Sequence, residues 1–307
     1  MNKNEKLSVV FMGTPQFAVP CLQKLIDTEN VTAVFTQPDK PKGRGYNIQK
    51  PPVKELAEKF NIPVYQPATL RNGEALEILK EINPDIIIVV AYGKILPKDI
   101  LTLPKLGCIN IHASLLPEYR GSAPIQWALL QGDMSTGVTS MYMDEGMDTG
   151  DMLIEVGISI DVNETFDELY TELSDLGANV LEQTLEALKN NTLKREKQLD
   201  SDATYAPMIT KEMSLLDTKK SAWECHNQIR AITAYTEYNG KRLKIYKSDY
   251  QVSNLQEAKT FKIICADGLA LSLKEVQLEG SKRMNIEQFL NGQGLLKSGI
   301  LITGDNG

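Results

Sequence analysis

Asp85-Ile-Ile-Ile-Val-Val-Ala91 is the stretch that decides the fold. After its leading acid it is unbroken aliphatic, rich in β-branched side chains, and too short for a helix. A strand with one wet face alternates apolar and polar residues. A run without alternation is covered on both sides, as happens when helices flank a parallel sheet. Working outward, Leu7-Ser-Val-Val-Phe-Met12, closed by Gly13, is a second such run, Val31–Thr36 a third, and Cys108-Ile-Asn-Ile-His112 a fourth. Segments of helical periodicity fall between and after them: Phe17–Ile26, opened by Pro15, then Val53–Phe60, Asn72–Ile82, Ala123–Gln131 and Thr165–Leu188. Proline at an opening turn suits a helix start. Strands alternating with helices predict right-handed crossovers and an α/β, doubly wound, mainly parallel sheet over residues 1–189.

The texture then changes. Residues 190–208 are polar and charged, with few periodic apolar positions, and are expected to be a linker. Residues 209–307 carry short strands at Lys241–Tyr246, Phe261–Cys265, Leu269–Val276 and Gly299–Thr303, with one helix at Ser221–Ile232. Polar and glycine breaks separate them, which predicts a smaller C-terminal β-barrel-like domain.

Composition narrows the functional classes. A chain of 307 residues with 42% hydrophobic and 24% charged residues is an ordinary globular protein, long enough for two domains. The polar start, Met1–Lys6, lacks the apolar stretch expected of a secretory signal, and no apolar run approaches the roughly 20 residues that span a bilayer. Cys21, Cys108, Cys225 and Cys265 stand far apart, without a C-x-x-C pair. They suit a reducing compartment better than a zinc site or disulfide framework, so a cytoplasmic protein without a metal is expected. The net charge of −7 is unevenly spread. Residues 209–307 hold 14 Lys and Arg against 11 Asp and Glu, giving +3, and the first 208 carry −10. A polyanion-facing surface and a plain solvated one both fit so small an excess.

The first strand–helix turn, Gly13-Thr-Pro-Gln-Phe17, has one glycine where a dinucleotide fold wants G-x-G-x-x-G, and Pro15 removes an amide donor. A nicotinamide or flavin enzyme is therefore not expected.

Ligands of an open parallel sheet bind beyond the carboxyl ends of its strands. Cys108–His112 ends there with two polar side chains, Asn110 and His112, which lie two apart and so share a face. A strand otherwise built of Ile and Cys has no structural use for that pair. Ser114-Leu-Leu-Pro117 and Arg120-Gly121 follow as a loop. After another strand, Val138–Tyr142, comes an acidic, glycine-hinged loop, Met143-Asp-Glu-Gly-Met-Asp-Thr-Gly150. Of the two histidines, His112 and His226, the first is the better placed to titrate in a reaction. Asn110 and a charged His112 could stabilise the oxygen of a tetrahedral intermediate, while Asp148 holds the imidazole and takes a proton from an attacking amine. Taken singly, each has a plainer explanation: a satisfied polar strand end, a loop-bonding amide, an Asp-Thr-Gly turn.

The joint pattern is far more specific. Asn110-Ile-His112-x-Ser114-Leu-Leu-Pro117-x-x-Arg120-Gly121-x-x-Pro124-Ile125-Gln126, with Thr136-Gly-Val138 and Asp144-x-Gly-x-Asp148-Thr-Gly150, closely resembles the folate-dependent formyltransferases. Phe11-Met-Gly-Thr-Pro15, Phe35-Thr-Gln-Pro-Asp39, Gly43-Arg-Gly45, Pro52-Val-Lys54, Ala203-Thr-Tyr-Ala-Pro207 and Asn239-Gly-Lys-Arg-Leu-Lys244 resemble the branch that formylates an aminoacylated tRNA. The likeness covers nearly the whole chain. It implies a Rossmann-like formyltransferase domain followed by an OB-like barrel, 10-formyltetrahydrofolate as co-substrate, and methionyl initiator tRNA as acceptor. It also implies a catalytic trio at Asn110, His112 and Asp148, and folate contacts from Ser114, Leu115, Leu116 and Pro117. A chain working alone as a monomer is expected.

Gln37–Lys54 contains Lys40, Lys42, Arg44, Lys50 and Lys54 against one acid, Asp39, and its glycines and prolines predict a loop. At the sheet end it could meet RNA phosphates. The resemblance implies that Lys42 and Arg44 grip tRNA there. A sugar-nucleotide or purine-pathway amine is the alternative acceptor. Two departures from the family pattern stand out. Tyr46 replaces a common lysine, and Ile229-Arg-Ala-Ile-Thr-Ala-Tyr235 lacks an Asn-Pro-Trp-Pro-like stretch.

Overall fold

A computed structural model describes residues 5–42, 47–250, 261–293 and 299–301. Strand β1 (Ser8–Gly13) and helix α1 (Val19–Thr28) open the chain, followed by β2 (Asn30–Phe35) and two short strands, β3 (Lys40–Lys42) and β4 (Asn47–Gln49). Next come α2 (Pro52–Lys59), β5 (Val64–Tyr65), α3 (Glu74–Ile82), β6 (Ile86–Val90), α4 (Lys98–Leu101), β7 (Cys108–His112), β8 (Arg120–Gly121) and α5 (Pro124–Gln131). Then follow β9 (Ser135–Tyr142), β10 (Met152–Ser159), α6 (Phe166–Lys189), β11 (Tyr205–Ala206), α7 (Ala222–Ile232), β12 (Tyr235–Tyr238) and β13 (Lys241–Asp249). The chain closes with β14 (Phe261–Ile264), β15 (Ala270–Leu278), β16 (Met284–Asn285), α8 (Ile286–Gly292) and β17 (Gly299–Leu301). Helices α1, α2 and α5 each carry proline in the first turn, where a missing N–H costs nothing.

Two compact units emerge. The first comprises Met1–Gly121, Gly137–Ile158 and Tyr170–Tyr205; the second comprises Ser122–Thr136, Ser159–Leu169 and Ala206–Gly307. The second unit thus draws two stretches from the middle of the sequence.

The first unit is built on a sheet of order β10-β9-β7-β6-β1-β2-β5. The neighbouring pairs from β5 to β7 are parallel, and β9 joins β7 antiparallel. All five residues of β6 are buried, as an uninterrupted aliphatic run requires of a strand covered on both faces. Leaving β1, the chain steps outward to β2 and β5 and then returns to β6 on the opposite side of β1. That reversal makes a topological switch point between β1 and β6, where ligands of such sheets bind. Three strand ends are lashed together there. Thr14 Oγ1 donates to the Tyr92 carbonyl at 3.1 Å, and Gln37 Nε2 donates to the same carbonyl at 3.0 Å.

Where a loop was expected at 37–54, β3 and β4 pair antiparallel, Lys40 opposite Gln49 and Lys42 opposite Asn47. Strand pairing satisfies the backbone whatever the side chains are, so a basic, proline-bearing composition hid the hairpin. Strand β10, helices α4 and α8, and strands β12 and β16 also went unread. Most are too short for a periodic signal, and β10 buries none of its side chains fully.

The second unit curls a sheet of order β12-β13-β15-β14-β17, with β16 paired to β15. Its pairings are antiparallel except β14 with β17. Register shifts along β13, between Ile245 and Ser248, bend the sheet in the manner of bulges. The core is formed by Cys225 and Ile229 of α7 with Leu243, Ile245, Ile263, Leu271, Leu273 and Val276, and by Phe261 against Phe289 at a 5.5 Å ring separation. Helix α7 opens with a capping box between Ser221 and Glu224.

Candidate active site

Strand β7 presents Asn110 opposite Met141 and His112 opposite Thr139 on β9. Both are largely buried, 9% and 6% exposed, so each side chain must answer for its polar groups. His112 Nε2 lies 3.0 Å from the Tyr119 carbonyl, an acceptor only, so this nitrogen carries a proton. Nδ1 is left facing Asp148 Oδ2 at 3.7 Å, too long for a hydrogen bond. Only a doubly protonated ring could donate on both sides. The nitrogen free to exchange a proton with a substrate is therefore Nδ1, and it shares that edge with the carboxylate. No side-chain hydrogen bond engages the Asn110 amide among the described residues.

Asp148 sits in a loop that the spacing Asp144-x-Gly146-x-Asp148-Thr149-Gly150 locks onto itself. Asp144 Oδ1 accepts from the Gly146 N–H at 3.0 Å and from Thr149 Oγ1 at 2.6 Å. A Cβ at Gly150 would stand 1.8 Å from the Tyr142 carbonyl oxygen, so only glycine fits. Asp148 itself has φ +55°, a left-handed conformation that Asp tolerates better than most residues. Its Oδ2 accepts from the Gly121 N–H at 2.9 Å, and its carbonyl accepts from Gln198 Nε2 at 2.8 Å. Arg120 Nε donates to Gln198 Oε1 at 2.8 Å and Arg120 Nη1 to Asp200 Oδ1 at 2.9 Å. The stretch expected as a linker therefore runs against the first unit, and Glu196 exchanges backbone bonds with Met152 there. Gln198 was not singled out from the sequence, since nothing in its surroundings marks it.

The Ser114–Pro117 loop is built from within. Ser114 is fully buried and donates its hydroxyl to the Glu118 carbonyl at 2.6 Å. Thr139 Oγ1 donates to the Ser114 carbonyl at 2.7 Å and accepts from the Leu116 N–H at 3.1 Å. A Cβ at Gly137 would meet Leu115 Cδ2 at 2.4 Å, so that glycine makes room for the loop. Leu115 and Pro117 are half-buried while Leu116 is 4% exposed. Burial pushes the carboxyl of Glu155, 3.3 Å from Thr139 Oγ1, above its ordinary range. At the carboxyl end of the sheet, Thr36 Oγ1 and Tyr92 Oη are buried without a hydrogen-bonding partner among the described residues. Burial pushes the Tyr92 phenol up to about 12, so it stays a neutral donor.

The basic segment is less free than its composition suggests. Lys54 Nζ lies 2.8 Å from Asp39 Oδ2 and 2.8 Å from Gln66 Oε1, and Lys50 pairs with Glu58 at 2.6 Å. The hydrogen bond from Lys54, then that from Gln66, holds the Asp39 carboxyl below its usual range. Both lysines are thus engaged at the foot of the β3–β4 hairpin. Lys42 ends β3, while Arg44 lies outside the described residues. No group of three or more His, Cys, Asp or Glu side chains suited to a metal occurs among the described residues. No helix among them is long and apolar enough to cross a membrane.

Residues 5–185 match the family described as "Formyl transferase", and residues 208–294 match "Formyl transferase, C-terminal domain". The chain is 46% identical to the methionyl-tRNA formyltransferase of Alkaliphilus oremlandii, over 96% of this chain and 99% of that one. It is 47% identical to the methionyl-tRNA formyltransferase of Caldanaerobacter subterraneus subsp. tengcongensis, over 96% and 100%. Among solved structures, an N-formyltransferase from Helicobacter canadensis, in complex with folinic acid and dTDP-3-aminofucose, shares the fold. Its TM-score is 0.65 at 23% identity, covering 87% of this chain and 98% of that one.

Proposed function

The chain belongs to the formyl transferase family, and from that premise we propose that it transfers the formyl group of 10-formyltetrahydrofolate to the α-amino group of methionyl initiator tRNA. The observation that carries the chemistry is the shared edge of His112 Nδ1 and Asp148 Oδ2, 3.7 Å apart, beside an Asn110 amide that no side chain among the described residues engages. An α-amino group has a reference pKa near 8, so at neutral pH a useful fraction is already the free nucleophile. Its lone pair attacks the formyl carbon, the carbonyl oxygen takes up negative charge, and the bond from that carbon to the folate nitrogen then breaks. The Asn110 amide and His112 Nδ1–H stabilise the oxygen; Asp148 receives the proton lost by the amine, directly or through water, and that proton passes to the folate nitrogen as it leaves. Positioning carries much of the rest.

The donor suits its surroundings. A folate offers an apolar face and a polar heterocycle. The half-buried Leu115 and Pro117 supply apolar surface, with Leu116 buried between them in the chain. The acceptor is assigned from the whole-length likeness to tRNA formyltransferases, second unit included. Lys42 and Arg44 are assigned to acceptor-stem phosphates. The enzyme is taken to work as a cytoplasmic monomer without a metal.

A formylation assay offering charged initiator tRNA, free methionine and a dTDP-linked amino sugar as acceptors tests the assignment. Formylation of the tRNA alone is expected. Turnover confined to the sugar would move the acceptor to the other class.

A further inference from the structure

Gln198 lies between α6 and β11, 50 residues from Asp148 in sequence, yet its amide is spent on the loop that carries the carboxylate. Nε2 donates to the Asp148 carbonyl and to the Gly150 carbonyl, both at 2.8 Å, and Oε1 accepts from Arg120 Nε at 2.8 Å. Both amide protons are used, and the acceptor is turned toward a cation. Nε2 also comes within 4.0 Å of Met141 Sδ, and Met141 is the register partner of Asn110. Arg120, 2% exposed, is itself pinned through its N–H to the Thr204 carbonyl at 2.9 Å and through Nη1 to Asp200.

We propose that Gln198 is a positioning residue for the formyl transfer, holding the Asp148 main chain so that its carboxylate stays on the Nδ1 side of His112; this rests on the function proposed above. The need for such a hold is local. With φ +55°, Asp148 occupies a conformation that an L residue leaves readily unless its neighbours over-determine it. The Gly121 N–H holds the carboxylate end at 2.9 Å, and Gln198 holds the carbonyl end. Without the second hold the peptide can rotate, and Oδ2 departs from the one position where it meets both Gly121 and the imidazole edge. The Gly150 bond keeps the turn closed on the other side. The amide therefore acts through Asp148 and makes no contact with the reacting atoms.

Replacement separates the two ends of the amide. Gln198→Glu keeps the size and the acceptor toward Arg120, but sets carboxylate lone pairs against two carbonyl oxygens. Its kcat should fall roughly 10- to 100-fold, while the KM values for tRNA and folate move less than about threefold. Protonating the introduced carboxyl restores one donor. The ratio of variant to wild-type kcat should therefore climb several-fold as pH is lowered from about 8 to about 5.5. In Gln198→Leu, which cannot regain a donor, the ratio should stay low and flat; if Gln198→Leu does not fold, the near-isosteric Gln198→Glu profile decides alone. Wild-type formylation in the same assay secures the premise, and its absence would sink the premise. If wild type is active and Gln198→Glu keeps kcat within about twofold at every pH, or its ratio is independent of pH, the positioning role is overturned while the premise stands.

Discussion

His112 illustrates how a single side chain is assigned its task by what each of its atoms is denied. The Tyr119 carbonyl takes Nε2, and what remains is Nδ1 beside Asp148. His112→Ala should therefore lower kcat by about 10²- to 10⁴-fold and leave tRNA affinity nearly unchanged. Single-turnover formylation alongside a filter-binding titration checks both, and full activity in the variant would refute the mechanism. Asn110→Ala removes one oxyanion donor and should cost roughly 3 kcal/mol of transition-state stabilisation, read as a fall in kcat of about 10²-fold. Gly150→Ala makes the complementary point about backbone. Its methyl cannot stand 1.8 Å from the Tyr142 oxygen, so the Asp148 loop must open. Activity should vanish there even though no functional group is lost.

At the scale of elements, α7 gives the clearest energetic expectation. Ser221→Ala breaks the capping box with Glu224 and should destabilise the second unit by about 1 kcal/mol, measurable as a lowered urea midpoint at unchanged m-value. The elements also show which information the sequence exposes. The β6 run and the Asn-x-His pair of β7 were legible because covered strands are unbroken aliphatics, and a polar pair inside one needs a reason. The Asp144–Gly150 motif was legible as a pattern, although its logic, a carboxylate capping its own turn, emerges only in three dimensions. What escaped was held by main-chain atoms. The Tyr119 carbonyl, the Gly121 N–H and the Asp148 carbonyl have no letter in a sequence, so Gln198, which serves one of them, looked like any polar residue of a connecting stretch. The β3–β4 hairpin escaped for the same reason. Its lysines nearest the foot also proved to be paired, which composition could not reveal.

At the scale of the molecule, charge and burial set two global responses. His226 is fully buried, with Ser248 Oγ at 2.8 Å from Nδ1 and the Val162 carbonyl 2.8 Å from Nε2, and burial drives its pKa down to about 4. The unfolded chain binds this proton from about pH 6.5 downward and the native protein does not. The stabilisation is thus complete above about pH 6.5 and is lost as pH falls toward about 4, by up to about 3 kcal/mol. Thermal melts across that window should fall steeply for the wild type and less so for His226→Gln; parallel curves would remove His226 from the account. The proposed phosphate contact of Arg44 predicts that Arg44→Ala weakens tRNA use, spares folate binding, and lowers the slope of log affinity against log salt by about 1.

The make-up of the second unit bears on how the protein is born. Residues 122–136 and 159–169 leave the ribosome well before α7, although α5, in the earlier stretch, packs against α7. Gly132 sits so close to Trp223 and Asn227 that a methyl there would stand 2.6 Å and 2.5 Å from them. The α5–α7 contact can therefore form only once translation has passed residue 232. A message stalled near residue 205 would release a chain in which α5 has no α7 to pack against.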